Sequence, residues 1–165
     1  MENVIIKDVI SSNEDFIILC DELDDFLNET AGGEIERDKY KKFNYCDTMD
    51  YVIVTYAGEK PVGCAALRKY SDEEIEVKRV FVREEYRGKK IGGIMMENLI
   101  VQSKRLGYKR MILETGELLK ASVRLYSKYG FEIIPNYGAY VNMPESLCMG
   151  RSLKDSAVTI QIRQL

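Results

Sequence analysis

Residues 75–100 read IEVKRVFVREEYRGKKIGGIMMENLI, and the order of events within them sets the architecture. Ile75 and Val77 share one face of an extended segment, but the apolar phase then moves to Val80 and Val82. Side chains alternate strictly along a strand, so a one-residue slip marks an inserted residue. The spacing predicts a β-bulge near Lys78 or Arg79, in mid-strand. Arg87-Gly88 and Gly92-Gly93 then bracket Lys89 and Lys90 immediately before a helix. Its expected apolar stripe is Ile91, Ile94, Met95, Leu99 and Leu106. Bare amides at a helix N-terminus, beside cationic side chains, make an anion site suited to a diphosphate. On its own the turn reads equally as a plain strand-to-helix connection with solvated lysines. Two commoner phosphate loops are excluded by spacing. No Ser or Thr follows a suitable glycine as in G-x-x-x-x-G-K-[S/T], and G-x-G-x-x-G is absent.

The rest of the chain narrows the class. Its 165 residues suit one domain with a substantial core, at an ordinary 45% apolar and 31% charged content. A net charge of −3 argues against nucleic-acid binding. Against that background Lys78, Arg79, Arg83, Arg87, Lys89 and Lys90 form a local basic cluster, read here as attracting an anionic ligand. No apolar run approaches the ~20 residues of a membrane span, and the acidic N-terminus does not read as a signal peptide. Cys20, Cys46, Cys64 and Cys148 lack C-x-x-C spacing and are expected as reduced, mostly buried thiols in a cytoplasmic protein. With no histidine, Cys/His zinc sites and Ser-His or Cys-His nucleophiles are excluded, and no metal is expected. Any acid or base is then Tyr, Cys, Lys, Asp, Glu or water.

Taken in order, residues 4–10 read as a strand. Ser11 and Glu14 have capping-box spacing before a helix faced by Phe16, Leu19, Cys20, Leu23, Phe26 and Leu27. Residues 51–57 and 62–70 make a hairpin about a Gly58-containing turn, and the 75–82 strand follows as a meander. Residues 110–114 read as a parallel strand. Residues 118–129 read as a helix stopped by Gly130 in the left-handed conformation. Residues 131–134 and 146–153 form a closing antiparallel pair. Between strand and helix pairs, Tyr40, Phe43, Asn44 and Tyr45 read either as ligand-holding groups or as a helix on the sheet edge. Residues 157–165 alternate like an edge strand, one that would suit pairing in a homodimer, or form a tail.

The glycine loop resembles the acetyl-CoA-binding motif of the GNAT superfamily of N-acetyltransferases, [R/Q]-x-x-G-x-[G/A]. Arg87 and Gly92 match its ends, while Lys90 replaces the middle glycine. Leu125-Tyr126 and Gly130-Phe131 match the family's L-Y-x-x-x-G-F. The resemblance covers residues 1–153 as one domain, leaving 154–165 as an extension. It implies an α/β (α+β by some conventions) fold: a mixed, mostly antiparallel twisted sheet with helices on both faces and a splayed central parallel pair. It also implies acetyl-CoA as co-substrate, its pantetheine arm on the backbone of Val80, Phe81 and Val82. The diphosphate would lie on Arg87, Gly88, Lys89, Lys90, Gly92 and Gly93, with Ser122 contributing from the following helix.

By the same resemblance Tyr126 is the group that protonates the departing thiolate; by spacing alone it is a core aromatic. Glu114 and Glu76 are candidate bases, Glu114 preferred because it stands where the strands should part; pairing with Lys78 or Arg110 is the structural alternative. The long segment 137–146 carries Tyr137, Tyr140, Asn142 and Glu145, which could read an amine acceptor or belong to a plain loop. The expected function is N-acetylation of a small metabolite or amino acid by direct transfer in a ternary complex. The alternatives are a protein α-amine or lysine acceptor, and a non-catalytic acyl-CoA-binding module.

Overall fold

A computed structural model describes residues 3–30 and 49–154. Strands β1 (Val4–Val9), β2 (Tyr51–Ala57), β3 (Lys60–Lys69), β4 (Glu74–Val82), β5 (Arg110–Gly116), β6 (Glu132–Ile134) and β7 (Ser146–Ser152) form one sheet. Its order is β1-β2-β3-β4-β5-β7-β6. Every neighbouring pair is antiparallel except β4 and β5. Helices α1 (Glu14–Thr30), α2 (Ile91–Arg105) and α3 (Lys120–Lys128), with short 3-10 turns at Glu84–Tyr86 and Gly138–Tyr140, complete the described architecture.

Alternation along the strands sorts the core to two faces. Val52, Val54, Cys64 and Ala66 pack on Phe16, Leu19 and Cys20 of α1. Ile53, Ala65, Leu67, Ile75 and Val77 pack on Ile91, Met95 and Leu99 of α2. Helices therefore cover both faces, as expected of the fold. The α2 stripe is rotated from the expected one: Met96, Ile100 and Ser103 are buried, whereas Ile94 and Leu106 are 42% and 51% exposed. A helix wedged against a twisted sheet buries a wider arc than an i, i+4 row, and the sheet chooses its centre.

The caps also differ from expectation. Asn13, not Ser11, caps α1, its Oδ1 accepting from Phe16 N–H at 3.0 Å. Ser11 instead donates to the Met49 carbonyl at 3.0 Å. Helix α3 starts at Lys120 rather than 118, and Gly130 ends it with φ +87°. Cys20, Cys64 and Cys148 are buried, and none of the three is in a disulfide. Cys46, Tyr40, Phe43, Asn44, Tyr45 and the 157–165 segment lie outside the described residues.

The phase slip in β4 is a bulge. Cys64 pairs with Phe81 and Ala66 with Lys78, so Ala65 alone faces Arg79 and Val80. Arg79 takes φ +58°, a left-handed conformation that L side chains rarely adopt. Val80 and Val82 thereby pack on the same side as Ile75 and Val77. Beyond the bulge the sheet opens. The β4–β5 ladder runs only from Glu74↔Arg110 to Glu76↔Ile112, while β5 continues on β7 as far as Gly116.

Candidate active site

The parting of β4 from β5 leaves a cavity of about 630 Å³. Val80, Phe81 and Val82 form its β4 wall, and Glu114 with Thr115 and Gly116 its β5 wall. Beyond Glu76 the β4 edge that faces β5 has no ladder partner, so its backbone groups are available to a ligand. Cys64 Sγ takes up one group released by the bulge, donating to the Arg79 carbonyl at 3.3 Å.

One end of the cavity is the glycine loop. Lys90 caps α2 with φ +67° and ψ 13°, so a lysine holds the left-handed turn where the motif has glycine. The N–H groups of Ile91, Gly92 and Gly93 precede the first intrahelical bond, Ile94 N–H to Lys90 O at 3.1 Å. The glycines are needed for helix packing as well as for access. A Cβ on Gly92 would come within 3.2 Å of Leu125 Cδ2, and one on Gly93 would overlap Tyr129 Oη. Arg87 anchors the loop through Nε to the Val82 carbonyl at 2.9 Å, its guanidinium 4.5 Å from the Phe26 ring centroid. Amides, cations and an apolar throat together fit a phosphate-bearing ligand with a long, thin arm.

The basic cluster divides on inspection. Arg83 is held by Glu22 at 2.7 and 2.8 Å. Arg79 donates to Asp24 at 2.9 Å and to the Cys20 carbonyl at 2.8 Å. Burial would leave these charges costly without partners, and α1 supplies the carboxylates. Lys78 turns to the opposite end of the cavity. Arg87, Lys89 and Lys90 alone stay with the loop, and Lys89 does not line the cavity; its Nζ lies 5.1 Å from the Tyr86 ring centroid.

The far end holds Tyr126, Glu114, Glu145 and Lys78. Tyr126 is 7% exposed and stacks edge-on with Phe131 at 5.9 Å between centroids. Burial, reinforced by Glu114, holds its phenol well above the usual value, so the hydroxyl keeps its proton throughout the neutral range. Ser122 also lines the cavity.

Glu76 stands apart. It is 3% exposed, accepts from Arg68 at 3.0 Å and from the Tyr137 hydroxyl at 2.5 Å, and does not line the cavity. It anchors the 135–145 loop to β4, a role its position in the sequence did not disclose. Tyr140 is buried behind the cavity, where its hydroxyl accepts from Lys78 Nζ at 3.2 Å. Asn142 is exposed and outside the lining, whereas Glu145 reaches it. Tyr137, grouped with Tyr140 in the sequence reading, here holds Glu76, and Lys78 was undervalued there. A lysine at an inward position of a β-branched strand was the available signal.

Among the described residues, no helix is long and apolar enough to cross a membrane.

A mixed sheet whose one parallel pair among the described residues splays over a glycine loop and helix N-terminus is the architecture of an acyl-CoA-binding transferase. The sequence profile of the Acetyltransferase (GNAT) family matches residues 19–131, more than half of the chain. The chain belongs to the GNAT family of acetyltransferases. It is 38% identical over 77 residues to an uncharacterized N-acetyltransferase of Schizosaccharomyces pombe, a match covering 46% of this chain. The chain spans about half of that relative's length, 47%. It is 28% identical over 154 residues to the IAA acetyltransferase of Azospirillum brasilense, covering 93% of this chain and 100% of that one. The fold is also that of a GNAT family acetyltransferase from Elizabethkingia anophelis, solved with acetyl-CoA bound. The TM-score is 0.66 at 20% identity, covering 92% of this chain and 99% of that one.

Proposed function

We propose that this protein transfers the acetyl group of acetyl-CoA to the primary amine of a small metabolite or amino acid, directly and in a ternary complex. The observation that carries the reading is the continuous cavity between β4 and β5, with cations and bare amides at one end and Tyr126 with Glu114 at the other. The amides of Gly88 to Gly93, with Arg87 and Lys90, bind the diphosphate. The β4 backbone at Val80, Phe81 and Val82, along the edge that β5 leaves open, holds the pantetheine arm and donates to the carbonyl oxygen as charge builds there. When bound, acetyl-CoA supplies an activated thioester. Glu114 takes the proton that the attacking amine must lose, and the Tyr126 hydroxyl gives one to the departing sulfur. Glu145 and the loop pinned by Glu76 and Tyr137 bound the acceptor end.

The test is thiol release from acetyl-CoA with and without a panel of amines and amino acids, beside calorimetric titration of acetyl-CoA. Amine-dependent release is expected. Tight binding without release across the panel would move the acceptor to protein amines or leave a binding module.

A further inference from the structure

Lys78 is a buried amine inside a cavity read as holding an acyl donor. Its side chain is 6% exposed, and it lines the same cavity as Glu114 and Tyr126, immediately before the bulge. Its charge is poorly matched. The nearest partner of Nζ is the neutral phenol of Tyr140 at 3.2 Å, and the nearest carboxylate oxygen, on Glu76, is 3.9 Å away. That carboxylate already serves Arg68 and Tyr137.

The charged groups around Lys78 are Glu76 and Arg79 on its own strand, Arg68 on β3 and Glu114 on β5. Burial outweighs them all and lowers the amine to about 8, so an appreciable fraction is neutral near physiological pH. Lys89 and Lys90, by contrast, are exposed.

We propose that Lys78 is a self-acetylation site: with no acceptor present, its ε-amine takes the acetyl group of acetyl-CoA bound in the same cavity. This rests on the acetyltransferase reading above. A bond forms between Lys78 Nζ and the carbonyl carbon as the carbon–sulfur bond breaks, and the electron pair leaves on sulfur. The proton lost by the amine replaces the one given to the thiolate, so the products are an amide and a free thiol. No oxidant or reductant is needed. An amide is a far poorer acyl donor than a thioester, so the modified lysine does not pass the group on. It removes the cation and fills the acceptor end. Self-acetylation thus shuts the site when donor is abundant and acceptor scarce.

The experiment incubates the intact protein with acetyl-CoA and no acceptor near pH 8, where Lys78 titrates. Modified residues are mapped by peptide mass spectrometry, and acetyl-CoA binding is measured by calorimetry on the same preparation. Lys78 should gain one acetyl group at least about tenfold faster than exposed lysines such as Lys69 and Lys109, because it alone of the three lines the cavity that holds the donor. Excess coenzyme A should suppress modification of Lys78 and leave the exposed lysines unaffected. Binding without preferential modification of Lys78 overturns self-acetylation and leaves the transferase reading intact. Absence of binding overturns both.

Discussion

The guanidinium of Arg79, 2% exposed, donates to Asp24 of α1 at 2.9 Å, while its backbone holds the left-handed φ of +58° that makes the β4 bulge. A side chain from the first helix is therefore tied to the residue that opens the central strands. Left-handed geometry at a non-glycine residue costs on the order of 1 kcal/mol and persists only where surrounding contacts impose it. Cys20 O and Asp24 supply those contacts. Removing the carboxylate with Asp24→Ala should cost about 1–2 kcal/mol, limited by the half-exposed position of Asp24 and the surviving bond to Cys20. Scanning calorimetry should show a lower Tm, and titration a weaker affinity for acetyl-CoA. Unchanged affinity would separate the bulge from the ligand site.

Tyr126→Phe removes one hydroxyl from the cavity wall and nothing from the core packing against Phe131. As the general acid, its loss should lower kcat by about 10²-fold or more with little change in acetyl-CoA affinity. Stopped-flow thiol release across pH reads this directly; an unaltered profile removes Tyr126 from the chemistry.

Gly93 is a packing glycine, pressed by Tyr129 of the α3 C-terminus. Gly93→Ala must displace the Tyr129 hydroxyl, the tip of a part-exposed side chain, and should destabilise the protein by no more than about 1 kcal/mol. Adding Tyr129→Phe deletes the offending oxygen and should restore much of the loss. A double-mutant cycle by urea unfolding measures the coupling. Additive losses would mean that the clash is relieved elsewhere.

Gly92→Trp, by contrast, reaches Leu125 and the cavity itself. Acetyl-CoA affinity should fall by tenfold or more, the equivalent of about 1.4 kcal/mol. A calorimetric Kd within error of the parent would place the diphosphate elsewhere.

The depressed Lys78 amine has a definite pH signature. Its folded pKa of about 8 lies below the ordinary 10.5, so between these values the unfolded chain binds a proton that the folded one does not. Stability from this group therefore rises with pH across that window, and the burial penalty is complete below it. Relative to Lys78→Met, the parent should gain up to about 3 kcal/mol on going from neutral pH to pH 10. Paired denaturant titrations provide the difference. A flat difference would mean that Lys78 remains charged in the fold.

Much of the architecture was local, and so legible in the order of residues. The one-residue phase slip between Val77 and Val80 announced the bulge, because strict alternation leaves no other way to return both pairs to one face. The glycine loop and the Gly130 stop were readable from local backbone chemistry, while the loop's role toward a ligand came from the resemblance. The left-handed Lys90 was not, since only a fixed loop and helix hold a lysine there. Partner choice was also invisible. Nothing near Arg83 or Arg79 in sequence names Glu22 or Asp24, and Glu76 met Tyr137 only through sheet register and loop closure. Spacing along one chain decides which groups can share a face. Which charge meets which counter-charge depends on contacts tens of residues apart, and that the tertiary structure alone decided.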